Sequence, residues 1–165
     1  MKFCEKMKGY MNIDNLILWG FAATVILTTI MTTSKYFGLT RMDLPFLLGT
    51  LFTSSRNRAP WLGFIIHLMT GWFFAFAYGL AFETSGLQSW WFGMAIGFVH
   101  AAFVLTVGLQ IVNSFHPRMA RPFQGPTPTR QLQPPGFLAL NYGNGTPLVT
   151  IVAHLVYGGV LGLFY

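Results

Sequence analysis

The chain has 165 residues, of which 53% are hydrophobic and 8% charged, whereas about a quarter are charged in soluble domains. So few charges do not cover the surface of a water-soluble fold, and the single cysteine, Cys4, excludes an internal disulfide. The formal charge of +6 comes from basic residues lying between apolar runs, with the aromatics inside those runs. That arrangement speaks against nucleic acid and for the lipid bilayer and its anionic headgroups as partner.

Met1 to Asn15 carries Lys2, Lys6 and Lys8 beside Glu5 and Asp14 and reads as a short surface tail. Leu16 to Ser34 is the first apolar run, about 19 residues or about 28 Å as a helix, which matches the hydrocarbon thickness. It is longer than a signal-peptide core, and Met31 to Ser34 has no A-x-A cleavage pattern, so it is expected to be retained. Gly20, Thr24, Thr28 and Thr32 recur every fourth residue and form a small-residue stripe expected to face inward, where threonines can bond back to a carbonyl or across to a partner.

Lys35 to Ala59 is a basic connection with Lys35, Arg41, Arg56 and Arg58. Asp43, Leu44 and Pro45 inside it have the form of a helix start, since the carboxylate can cap free amides and proline tolerates the first turn. The apolar run Leu44 to Phe52 is about 14 Å as a helix, too short to cross, and predicts an interfacial or re-entrant helix.

Pro60 to Phe82 is the second span. Gly63, His67, Gly71, Ala75 and Gly79 share one of its faces, and apart from the imidazole that face has almost no bulk. A neighbouring helix or a flat cofactor can therefore approach its backbone. The span ends at Glu83 and the turn Thr84, Ser85, Gly86, which carries no lysine or arginine. The third runs from Trp90, after Ser89, to about Val112, with paired tryptophans at the headgroup level. Gly93, Gly97 and Ala101 form one of its faces and His100 the adjoining ridge, and the second and third spans are expected to form a tight antiparallel hairpin.

Asn113 to Thr146 is the second long connection, with Arg118, Arg121, Arg130 and many prolines. Its segment Gln124 to Pro135 cannot be helical, because proline removes donors and constrains its neighbours. Gly136 to Tyr142 is apolar enough to pack on the membrane or the bundle. Thr146 and Pro147 read as cap and first turn of the last span, which runs to Tyr165 and places Thr150, His154, Gly158 and Gly162 on one face. The expected fold is therefore all-α: a single membrane domain, 1–165, forming a four-helix bundle with spans at about 16–34, 60–82, 90–112 and 147–165.

The long connections, 35–59 and 113–146, hold seven of the ten basic residues. The positive-inside rule puts both in the cytoplasm and both termini outside, although Lys2, Lys6 and Lys8 argue the other way.

His67 and His154 then lie at similar depths, about 10 Å from the cytoplasmic end of their spans, and His100 about 18 Å from that side. Ionisable groups at such depth are candidates for a site. One reading is a b-type haem, a chlorophyll or a metal ion held by His67 and His154, with His100 as a further ligand or a support; glycine makes room for a macrocycle, and neutral imidazole suits iron, copper, zinc or magnesium. The other is that each imidazole bonds a carbonyl or threonine hydroxyl of the next helix. No C-x-x-C-H or H-E-x-x-H spacing selects a metal. His116, beside Pro117 and Arg118, reads as a surface residue.

The loop arginines, Arg41, Arg56, Arg58, Arg118, Arg121 and Arg130, suit phosphate or lipid headgroups. Asp43 can cap its helix or pair with Arg41. No catalytic residue stands out, because a hydrolase or phosphotransferase needs a base or metal carboxylates and only Asp43 is placed to serve. The spans carry no stripe of acids or lysines for ion coupling.

The motifs RMDLPFLLGTLFT, HPRMARP, PPGFLALNYG and TPLVTIVAHLVYG resemble those of an uncharacterised family of small bacterial inner-membrane proteins, over most of the chain. The resemblance implies that location and a four-span layout, and it brings no activity and no site residue. The expected function is a non-catalytic subunit or scaffold of a bacterial membrane complex, packed on other membrane subunits or on itself and binding lipid or pigment in its grooves. The alternative is a haem-, chlorophyll- or metal-binding protein using His67 and His154, and the third is a lipid-modifying enzyme.

Overall fold

A computed structural model describes residues 11–121 and 125–165. Most of the lysine-bearing tail, with Cys4, and residues 122–124 of the second connection lie outside the described residues. Helix α1 spans Ile13–Tyr36, α2 Leu44–Gly49, α3 Ala59–Ser85, α4 Trp90–Phe103, α5 Leu109–Phe115 and α6 Thr146–Phe164. A π-helical turn, Val104–Gly108, joins α4 to α5 as one long rod, and a 3₁₀ segment, Phe137–Tyr142, precedes α6.

Four helices are long and apolar enough to cross a bilayer: α1 with 24 residues, α3 with 27, the α4–α5 rod with 26 and α6 with 19. Their outer faces leave Ile17, Phe21, Phe73, Val99, Leu148 and Leu163 exposed. Water would penalise such a surface and hydrocarbon does not. The chain is an all-α, multi-pass membrane protein built as a four-helix bundle.

The helix ends follow local chemistry. Asn12 caps α1 by accepting from the Asn15 amide at 3.0 Å, and Ser89 caps α4 through the Phe92 amide at 3.4 Å. Asp43 caps α2 through the Phe46 amide at 3.0 Å, as its sequence context predicts, but its charged partner is Lys35 and not Arg41. Gly86, with φ of 66°, closes α3 in the left-handed region that glycine enters without strain. Thr146 is not the cap of α6. That position is Gly145, and the Thr146 hydroxyl instead meets the Thr40 hydroxyl at 2.7 Å, fastening the first connection to the last helix.

The bundle consists of two antiparallel seams. Along the first, Leu16, Gly20 and Thr24 of α1 pack on Gly79, Ala75 and Gly71 of α3, so the two ladders run in opposite directions. Thr24 and Thr28 return their hydroxyls to the carbonyls of Gly20 and Thr24, both at 2.7 Å, which hides them within the stripe. Thr32, expected on the same face, is exposed, and Met31 takes the inward position at 2% exposure. Along the second seam, a methyl group at Gly93, Gly97 or Gly162 would collide with the backbone carbonyl of Gly158, His154 or Ser89. Contact between α1 and α6 joins the two seams.

The expected tight hairpin of the second and third spans does not form. The glycines of α3 are already taken by α1 and α2, and those of α4 by α6. Between α3 and α4 stand large rings instead, with Phe74 over His100 at 3.9 Å between centroids and Phe82 near Phe92 at 6.0 Å. Two helices separated by aromatic side chains cannot bring their backbones together.

Helix α2 is shorter than the apolar run that encodes it, ending at Gly49. Its Pro45 carbonyl sits on Gly63 and its Gly49 on Ala59, so it runs antiparallel to the start of α3. Met42, Leu44 and Leu48 thereby reach the interior beside His67.

Candidate functional site

Glycine seams that close at some levels leave space at another. Between the four long helices, and bounded by Met42, Leu44 and Leu48, lies a cavity of about 160 Å³. His67 enters it from α3, His100 from α4 and His154 from α6, so three helices far apart in sequence bring their imidazoles to one space. The rings of His100 and His154 stand edge to face, 4.6 Å between centroids and 82° between planes.

The hydrogen bonds fix which nitrogen of each ring is engaged. His154 Nδ1 lies 2.8 Å from the Thr150 carbonyl. A carbonyl only accepts, so Nδ1 carries the proton and donates, and in the neutral ring Nε2 keeps its lone pair. His67 Nδ1 lies 2.9 Å from the Thr28 hydroxyl, whose own proton goes to the Thr24 carbonyl. Nδ1 of His67 is therefore the donor there too, and its Nε2 also keeps a lone pair. Neither Nε2 bonds to another described residue, and no buried side-chain nitrogen or oxygen among those residues is sealed without a partner. Both residues line the cavity.

His100 likewise engages Nδ1, 3.4 Å from the Tyr78 hydroxyl, and its Nε2 has no partner among the described residues; its ring lies against Phe74. Tyr157, also lining the cavity, donates to the Gly71 carbonyl at 2.6 Å and so bridges α6 to α3. The remaining lining is apolar or weakly polar and includes the thioether residues Met31 and Met42, each 2% exposed, and no aspartate or glutamate. Among the described residues no three histidine, cysteine, aspartate or glutamate side chains stand close enough to enclose one metal ion. An ion here would rest on two imidazoles and donors of another kind.

Three of the loop arginines are engaged by backbone carbonyls. Arg41 donates to the Asn141 carbonyl at 2.7 Å, Arg118 to the carbonyls of Thr50 and Leu51, and Arg130 to those of His116 and Met119, each at 3.4 Å. These three tie one connection to the other or to itself. Arg56, Arg58 and Arg121 are exposed.

His116 is a correction to the sequence reading, for it is 1% exposed rather than on the surface. Its Nε2 donates to the Leu47 carbonyl at 3.1 Å with the Thr50 hydroxyl at 3.3 Å, and its Nδ1 accepts the Arg118 amide at 3.1 Å. Burial holds its pKa below the ordinary value; the Leu47 bond opposes that, and the charges of Arg118 and Arg130 add to it. Sequence reasoning missed this residue because its Leu47 and Thr50 partners lie 69 and 66 residues away. Compared with known proteins, the chain matches no family model, no curated protein and no solved structure.

Proposed function

We propose that this is a bacterial inner-membrane protein that holds a small ligand inside its helix bundle through His67 and His154, the ligand being a transition metal ion. The observation that supports the reading is that both residues line one cavity and each spends Nδ1 on the protein, which leaves Nε2 without a partner among the described residues. A histidine whose other ring nitrogen is anchored by a carbonyl or hydroxyl has the arrangement usual for a metal ligand. A scaffold needs no such chemistry, and the convergence of imidazoles moves the reading from scaffold to ligand site.

The size of the space bears on the ligand classes named by the sequence. At about 160 Å³ it lies below the ~300 Å³ at which pockets for drug-sized molecules begin. The cavity therefore favours a ligand smaller than a haem or chlorophyll. The bland alternative, in which each imidazole merely bonds a neighbour, accounts for one nitrogen of each ring and leaves the other without a role.

The test is metal analysis of the protein purified in detergent and exposed in turn to Cu(I), Zn(II), Co(II) and Ni(II). One equivalent of at least one ion is expected to be retained by the wild type and lost from both His67→Ala and His154→Ala. Failure of all four to bind, or retention in both variants, overturns the reading. The proposed orientation puts 35–59 and 113–146 in the cytoplasm, so reporter fusions at Gly86 and Tyr165 should both report the outer side.

A further inference from the structure

We infer that the protein carries a second site, for an uncharged, hydroxyl-rich group such as a sugar ring, between the end of the α4–α5 rod and the segment Phe137–Tyr142. This site is separate from the histidine cavity and does not depend on an ion there.

Thr106, Gln110 and Asn113, about one turn apart along the rod, line one side of a pocket of about 480 Å³, and Gly136, Phe137 and Asn141 line another. The volume lies within the ~300–1,000 Å³ usual for small-molecule sites. No charged side chain is in the lining, so a phosphate finds no counter-charge in it.

Hydrogen bonds hold the two walls together. Gln110 Nε2 donates to the Gly136 carbonyl at 2.8 Å, and Asn141 Nδ2 to the Pro134 carbonyl at 3.0 Å. The Asn141 amide lies so near Gly136 that a methyl group there would stand 2.7 Å from it. Gly136 thus has one amide on its carbonyl and the other against its α-carbon. Leu138 and Ala139, with φ of 52° and 59°, occupy the left-handed region that residues bearing a side chain rarely enter. The Arg41 guanidinium on the Asn141 carbonyl and the Asn141 amide on the Pro135 carbonyl, at 2.7 and 3.1 Å, help to hold them there. Such backbone persists only where the surrounding structure imposes it, and it clusters at ligand sites.

The unspent polar atoms are mostly acceptors. A carbonyl only accepts, so the amide nitrogens of Gln110 and Asn141 face carbonyls and each side chain keeps its oxygen. Thr106 likewise gives its proton to the Ala102 carbonyl at 2.6 Å. Gln110 Oε1, Asn141 Oδ1 and the Asn113 side-chain amide have no partner among the described residues. A ligand for these atoms must bring donors. A cationic donor is disfavoured, since no carboxylate lines the pocket and the chain carries a formal charge of +6. Hydroxyl groups meet the need without charge. A sugar presents several around its ring, so the acceptors need not converge on one point, and Phe137, 72% exposed, offers a face to its apolar side.

The same chemistry is found in a glycolipid headgroup and in a free sugar. The test uses the full chain in phosphatidylcholine nanodiscs, prepared without sugar-headed detergents. Bound lipid is counted by native mass spectrometry after doping with monoglucosyl- or monogalactosyl-diacylglycerol, with diacylglycerol, or with phosphatidylglycerol. Methyl glucoside and methyl galactoside are titrated by calorimetry. At least one sugar probe is expected to bind, a glycolipid being retained about tenfold over diacylglycerol and phosphatidylglycerol. Its binding should fall about tenfold in Asn113→Leu and in Gln110→Leu, the loss of a hydrogen bond in each. Asn113→Leu breaks no bond within the protein and should melt as the wild type does. Binding of the methyl glycosides with the same dependence assigns the site to soluble sugars, and binding of the glycolipids alone assigns it to the bilayer; either supports the inference. Failure of every sugar probe to bind selectively, preference for phosphatidylglycerol, or sugar binding unchanged in both variants overturns it. Ion retention by His67 and His154 is read separately in each variant and stands or falls by itself.

Discussion

His116 and the pair His67 and His154 are all shielded side chains, yet they are used in opposite ways. His116 spends both ring nitrogens on its own fold: Nε2–H goes to Leu47, and Nδ1 takes the Arg118 amide. It pins the second basic connection to α2 and has no lone pair left. His67 and His154 each spend one nitrogen and keep one. Burial therefore does not separate a structural histidine from a ligand, whereas an account of each nitrogen does.

That contrast can be broken from either side. The largest effect is expected at the ligand pair, where His67→Ala or His154→Ala should abolish metal retention while removing one hydrogen bond each, a stability loss of about 1 kcal/mol. His116→Ala should do the reverse. It leaves the Leu47 carbonyl and the Arg118 amide without their buried partner, costing about 2–4 kcal/mol in denaturant unfolding, with ion stoichiometry unchanged. If His116→Ala lost the ion and His154→Ala lost only stability, the roles would be inverted.

Thr28→Val sharpens the comparison by removing the acceptor of His67 Nδ1–H while nearly preserving shape. An anchoring partner of this kind is worth about 10- to 100-fold in metal affinity, read by titrating the purified protein with the ion it retains.

Acidity supplies a further handle. The folded pKa of His116 lies below its ordinary 6.5, so as pH falls through that value the unfolded chain takes up a proton that the folded chain refuses. The contribution of His116 is complete above the ordinary pKa and is lost progressively as pH drops toward the folded value. Between about pH 7.5 and about pH 5, the wild type should lose more stability than His116→Gln, which cannot titrate. Equal losses would mean that the Arg118 amide does not hold Nδ1 unprotonated. The smallest effect is expected from Asp43→Ala, about 1 kcal/mol for a lost cap, measured by thermal melting with metal binding unaltered.

The spans were legible in the sequence because bilayer thickness imposes a length and hydrocarbon imposes a composition. Structured ends such as Ile13 and Phe115 moved the limits by only a few residues. The small-residue ridges were legible as surfaces of close approach, but a ridge does not say which helix fills it. Gly63, Gly71 and Gly79 chose α2 and α1, Gly93 and Gly97 chose α6, and the expected hairpin gave way to aromatic rings. His67, His100 and His154 could be singled out because each interrupts an apolar span, and the structure brings them to one cavity. The His67 tautomer could not be read, since it depends on Thr28 reaching across from another helix, whereas that of His154 follows from the Thr150 carbonyl one turn back.

The π turn at Val104–Gly108 also has a mechanical meaning. A π turn amounts to one surplus residue in an otherwise regular helix, and at about 100° per residue that surplus sets the azimuth of everything beyond it. With it, Leu109 faces inward and Gln110 reaches the Gly136 carbonyl at 2.8 Å. Deleting Thr106 would let the rod run as plain α-helix and rotate α5 by roughly a quarter turn, swinging Leu109 toward lipid and releasing the Gln110 tether. The cavity wall and the proline-rich connection are thus phased to each other by a single inserted amino acid.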